Sequence, residues 1–140
     1  MTELADTSAW VVSRRDDQGE LRERFSVALR AGRIAVCDMV RLELLESARN
    51  HGEFRDISAE LSELPDCPIA KSEWRRALWV YEQLAAQGGA HQRSVEHSDL
   101  LIAAAAEAAE TPIVHYDRDF ERIAEITGQP TRWVVERGSI

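Results

Sequence analysis

Four acidic residues stand where a purely structural account leaves them unexplained. Asp6 and Asp117 each follow a short apolar stretch that reads as a β-strand, at the strand end where open parallel α/β sheets bind ligands. Glu43 lies inside a helical stretch, and stepping 100° per residue from Asp38 puts it between Met39 and Val40, so its carboxylate is expected to point inward. The same stepping places Glu46 beside Arg49 and Leu42 as a solvated neighbour. Asp99 opens an Ala-rich helix in apolar surroundings, in a first turn whose dipole favours an anion.

Burying one unpaired carboxylate costs on the order of several kcal/mol, so four in one domain call for a shared cation. An all-oxygen donor set suits Mg²⁺ or Mn²⁺, and Mg²⁺ retains waters and open positions for phosphate oxygens. That is the chemistry of metal-assisted phosphodiester hydrolysis. Each acid also has an ordinary structural reading. Asp6 and Asp99 fit helix N-terminal positions worth about 1 kcal/mol each. Asp117 and Asp119 fit the first turn of the helix that follows, and Glu43 could pair with an arginine. The combination carries the information, because no local spacing rule brings together residues as far apart in the chain as 6, 43, 99 and 117.

The elements that must position these acids alternate. A very short strand precedes Asp6, with Asp6 or Ser8 capping the helix that begins at Ala9-Trp10. A helix spans about Glu20 to Ala31 and ends near Gly32; Ile34 to Cys37 forms a second strand. Asp38 caps a helix reaching about Asn50, and another runs from Glu53 to Leu64, stopped by Pro65. Pro65 to Pro68 reads as a loop. An amphipathic helix from Ser72 to about Gln87 carries Trp74, Ala77, Leu78, Tyr81 and Leu84 and ends at Gly88-Gly89. Ser98 is expected to cap the Ala-rich helix to Glu110, which belongs in the core. Pro112 to Tyr116 is the clearest strand, Asp117 to Ile126 the next helix, and Arg132 to Val135 a last strand. The alternation indicates an α/β fold with a parallel sheet covered on both faces.

The chain has 140 residues, which predicts a single domain, 1–140, with one core. No apolar run approaches the roughly 20 residues of a membrane span, and the N-terminus lacks a signal-peptide pattern, so a cytoplasmic protein is expected. Cys37 and Cys67 are read as buried thiols rather than a disulfide. Of the 17 cations, only Lys71 is a lysine, a bias that either genome composition or bidentate phosphate recognition explains.

Four blocks, in order, resemble the PIN-domain ribonucleases, specifically the VapC-type toxins of type II toxin–antitoxin modules. They are Asp6-Thr7-Ser8-Ala9-Trp10, Arg41-Leu42-Glu43-Leu44-Leu45, the run from His97 to Ala105, and the run from His115 to Phe120. The resemblance covers essentially the whole chain. It implies a PIN-like domain with a mostly parallel sheet of about five short strands flanked by helices, and an acidic pocket for Mg²⁺ or Mn²⁺. By position, Asp6, Glu43, Asp99 and Asp117 match the family's acidic set, with Asp119 a frequent fifth member. Asp6, Asp99 and Asp117 would bind metal directly or through water, and Glu43 would be a further ligand or position the attacking water. The resemblance further implies endonucleolytic cleavage of RNA, typically tRNA or ribosomal RNA, a homodimer, and a VapB-type antitoxin whose extended C-terminal part lies over the pocket. The helix bearing Trp74, Trp79 and Tyr81 is a candidate for either protein contact, although aromatics at this spacing more often face a core. The family often has Thr or Ser where this chain has His115; Ser8 could supply a hydroxyl instead, with helix capping its expected role.

Three rival readings use the same residues. His97 and Asp99 with His115 and Asp117 form two His-x-Asp pairs that could make a mixed transition-metal site. The strand ending in Asp117-Arg118-Asp119 resembles the nucleophile motif of haloacid-dehalogenase-like phosphatases, but too little chain follows to build that fold. The third rival is a non-catalytic module whose acidic cleft receives a basic peptide. The net charge of −8 opposes a broad basic surface for nucleic acid. Bound divalent cations would invert the pocket's electrostatics, with Arg14, Arg15, Arg93, Arg118 and Arg122 as candidate phosphate contacts.

Overall fold

A computed structural model describes residues 1–17 and 19–140. Strand β1 (Glu3–Ala5) leads into helix α1 (Thr7–Arg14), whose N-terminus is capped by the Asp6 carboxylate accepting the Ala9 N–H at 3.1 Å. Helix α2 (Glu20–Arg30) follows Gly19, which sits at φ 81°, a left-handed conformation glycine adopts without strain. Strand β2 (Ile34–Ala35) precedes α3 (Asp38–Leu45), α4 (His51–Ser62) and α5 (Lys71–Ala86). A short 3-10 turn (His91–Ser94) then leads to α6 (His97–Ala108), β3 (Ile113–His115), α7 (Asp119–Thr127) and β4 (Thr131–Trp133).

The strands form one parallel sheet in the order β2-β1-β3-β4. From β1 the chain moves outward to β2, and from β3 it moves outward the other way to β4. The order therefore reverses between β1 and β3, and the crevice between their carboxyl ends is where such sheets place ligands. The sheet has four strands rather than five. A fifth begins as a single parallel bridge between Val36 and Asp66, with Val36 N–H donating to the Pro65 carbonyl and Cys67 N–H donating to the Val36 carbonyl.

Several helix boundaries differ from the sequence expectation: α1 begins at Thr7 rather than Ala9, α4 at His51 rather than Glu53, and α7 at Asp119 rather than Asp117. Helix α3 ends at Leu45 rather than near Asn50, because Asn50 is extended (φ −158°) and its side chain caps α4 by accepting the Glu53 N–H at 2.9 Å. Helix α6 starts at His97, one residue before the expected Ser98 cap. Asp38 is the first residue of α3 and pairs with Arg41 at 2.9 Å rather than capping the helix.

The core joins both faces of the sheet. Trp10 of α1 meets Phe25 of α2 edge-on at 5.0 Å, and every residue of α6 from Asp99 to Ala106 is buried, as its composition requires. Cys37 and Cys67 are free, buried thiols, and burial pushes the Cys37 thiol up to about 11. No helix among the described residues is long and apolar enough to cross a membrane.

Candidate metal centre

Asp6 sits immediately after β1, and Asp117 two residues after β3, so the two central strands deliver both carboxylates to the crevice. Asp99 enters from the first turn of α6, and Asp119 is the first residue of α7. Asp99, Asp117 and Asp119 each offer an oxygen within 4.8 Å of the others, the one such grouping of potential metal ligands among the described residues.

The electrostatics are those of carboxylates crowded out of water. Asp6 is 2% exposed, and burial pushes its carboxyl up to about 6. Hydrogen bonds from the Ser8 hydroxyl and the Ala9 N–H oppose that rise, while the Asp117 charge adds to it. Asp99 is 5% exposed and is pushed further, to about 9, first by burial, then by Asp117, with which it is close enough to share a proton, and by Asp6 and Glu96. Asp119 is raised by burial and by Asp117, with Arg122 and Arg118 pulling it back. One Asp99 oxygen, Oδ2, is buried without a hydrogen-bond partner. A hard, oxygen-only donor set with an orphaned buried oxygen fits Mg²⁺ or Mn²⁺.

Two hydroxyls organise the periphery. Ser8 Oγ lies 2.7 and 2.9 Å from the two Asp6 oxygens, to which it donates, and accepts the Tyr116 N–H at 2.8 Å. Helix capping falls to Asp6; Ser8 instead ties the Asp6 carboxylate to the end of β3. Thr7 Oγ1 donates to Glu43 Oε1 at 2.8 Å, a contact between α1 and α3. Glu43 is half-buried, as the stepping argument required, and meets this threonine rather than an arginine; Glu46 is exposed. Glu43 and Asp6 stand outside the tight aspartate group, which is formed by Asp99, Asp117 and Asp119.

Sequence reading missed Thr7 and Glu96. Thr7 was visible only as part of the Asp6-Thr7-Ser8 block, and Glu96 only as part of a polar connection, yet Glu96 bears electrostatically on both Asp99 and Asp119.

The histidines do not join this group. His115 is fully buried against Phe120 and Trp133, with ring centroids 5.3 and 4.9 Å away, and burial lowers it to about 4. Its Nδ1 accepts the Asp117 N–H at 3.2 Å. His97 is exposed and faces the Tyr81 hydroxyl at 3.4 Å. Of the candidate phosphate contacts, Arg118 and Arg122 act on Asp119, and Arg122 also reaches the Ser94 hydroxyl. Arg14 is engaged by Glu60 at 3.0 Å, and Arg15 and Arg93 are exposed.

The α5 aromatics expected in the core are instead at the surface, with Trp74 55% and Trp79 44% exposed. Beside them Leu78 is 65% exposed, and Met39, Trp74, Tyr81 and Leu101 help line an apolar groove of about 450 Å³.

Comparison with known proteins places the family and the fold. A PIN domain profile matches residues 4–126. Ribonuclease VapC18 of Mycobacterium tuberculosis (strain ATCC 25618 / H37Rv) is 43% identical over 140 residues, covering 100% of both chains. Ribonuclease VapC51 of the same strain is 38% identical over 137 residues, covering 98% of this chain and 96% of its own. The fold is similar to that in the DNA-bound VapBC structure from Salmonella typhimurium, with a TM-score of 0.72 and 20% identity over 96% of this chain and 100% of that one. With four acids at the switch point of a parallel sheet and a profile match across most of its length, the chain belongs to the PIN-domain family, among its VapC ribonucleases.

Proposed function

We propose that the chain is a Mg²⁺- or Mn²⁺-dependent endoribonuclease and the toxin of a type II toxin–antitoxin pair, with residues 1–140 working as one PIN domain in the cytoplasm. The observation that carries this reading is the convergence of Asp99, Asp117 and Asp119 within 4.8 Å, beside buried Asp6, at the point where the strand order reverses. Asp6, Asp99, Asp117 and Asp119 would hold the cation, directly or through water, with Glu43 a further ligand or a group orienting water. A bound divalent cation supplies Lewis-acid polarisation of phosphate and a more acidic water.

The chain's own residues prepare that site. Asp99, buried beside the Asp117, Asp6 and Glu96 carboxylates, resists ionising without a cation, which favours a cation in the pocket. Ser8 fixes the Asp6 carboxylate, and Arg118 and Arg122 stand next to Asp119 where a phosphate backbone could be neutralised. The relatives named ribonucleases support RNA as substrate, tRNA or ribosomal RNA being the expected class. The fold likeness to VapBC complexes supports a VapB-type antitoxin as partner. The exposed Trp74, Leu78 and Trp79 support a homodimer through α5.

A non-catalytic acidic cleft for a basic peptide uses the same net charge but gives no reason to bury Asp99 among like charges. Expression of the chain without antitoxin separates the two readings: growth arrest with RNA fragmentation that Asp6→Ala abolishes supports the nuclease. Arrest unaltered by Asp6→Ala, with intact RNA, overturns it.

A further inference from the structure

We infer that Thr7 is a positioning residue that holds Glu43 at the acidic site; this rests on the nuclease reading above. Glu43 is the one member of the acid set that comes from α3, and no strand end fixes it. Its link to the rest is the Thr7 hydroxyl, which donates to Oε1 at 2.8 Å across 36 residues of sequence. Thr7 is free for this task because the N-terminus of α1 is already capped by Asp6, whose carboxylate takes the Ala9 N–H.

The consequence is a rigid relay of short reach. Asp6 immediately follows β1, Thr7 is the next residue, and its side chain ties Glu43 to that same strand end. An O–H donated to one carboxylate oxygen fixes the group's rotation, as outer partners of metal-site carboxylates do, and such partners are commonly worth about 10- to 100-fold in metal affinity or activity. A helix-borne glutamate without the tether would sample several rotamers.

The test combines three variants with two readouts, the kcat and KM of RNA cleavage and Mn²⁺ affinity by calorimetry. Thr7→Val keeps the branched shape and removes the hydroxyl; Thr7→Ser keeps the hydroxyl. Thr7→Val is expected to lower kcat about 10-fold with KM within about twofold, and Thr7→Ser to recover most of it. In a Glu43→Gln background, Thr7→Val is expected to cost nothing further, because Thr7 acts through Glu43. Equal losses in both backgrounds, or Thr7→Ser as damaging as Thr7→Val, would overturn the assignment. Wild-type-like kcat and Mn²⁺ affinity in Thr7→Val, with Asp99→Asn inactive, would overturn the role of Thr7 while leaving the nuclease reading standing. A wild type that neither binds Mn²⁺ nor cleaves RNA removes both.

Discussion

The carboxyls of Asp99 and Asp117, carried by α6 and by the end of β3, lie close enough to share a proton, and Asp99 Oδ2 is buried with no partner. Nothing in the packing of an Ala-rich helix asks for a carboxylate there. The arrangement makes the metal-free fold carry an electrostatic cost that a divalent cation would relieve, so stability and function meet at one pair of side chains.

Asp99 and Asp6 make the metal-free protein's stability fall as pH rises. Asp99 is raised to about 9 and Asp6 to about 6, so between about pH 4 and those values the folded state holds protons that the unfolded state has released. Their stabilising contribution is complete below about pH 4 and is lost through about pH 6 for Asp6 and about pH 9 for Asp99. Thermal melts in EDTA should show the midpoint declining across this window against Asp99→Asn, which removes the larger part of the slope. Millimolar Mn²⁺ should reverse the decline, because the cation replaces the protons.

Asp99→Asn should separate stability from activity. Removing a buried carboxyl that must take up a proton on folding at neutral pH is expected to stabilise the metal-free protein by about 1 kcal/mol, roughly 3 to 5 °C in Tm. The same change should lower RNA cleavage at least 100-fold. Calorimetry and single-turnover cleavage on one preparation check both signs.

Ser8→Ala should weaken the protein and shift Asp6. The substitution leaves the Tyr116 N–H without its acceptor, at a cost of about 1 to 3 kcal/mol measured by urea unfolding. It also removes the hydroxyl that lowers the Asp6 carboxyl, so a carbon-13 NMR titration should find Asp6 above its wild-type value.

Leu78→Glu should change association and leave the fold alone. Leu78 is 65% exposed, so its replacement is expected to move stability by less than about 0.5 kcal/mol. If α5 forms the homodimer face, sedimentation should show a dimer becoming a monomer.

The legible part of this molecule was the part set by strand ends and by charge in apolar surroundings. Asp6 and Asp117 follow the two central strands, and Asp99 is conspicuous in a helix buried from Asp99 to Ala106. The inward arc of Glu43 could be stepped out on one helix, but its meeting with Thr7 depends on how α1 packs against α3, which no local period encodes. The end of α3 was hidden because Asn50, which fits a helix end, is the cap of the next helix. The 3 and 4 spacing of Trp74 and Leu78 marked an apolar stripe without saying whether this chain covers it, and both remain exposed. His115, read as a candidate ligand or departure from pattern, is enclosed by Phe120 and Trp133, partners that only the tertiary fold supplies.

The most direct test of the central claim is single-turnover cleavage of total RNA by the antitoxin-free chain, with and without EDTA and with Mg²⁺ or Mn²⁺ restored. Wild type should cleave only when the cation is present, and Asp117→Asn should be inactive in every condition while remaining folded by circular dichroism. Cleavage that persists in EDTA, or that Asp117→Asn performs as well as wild type, would contradict the account.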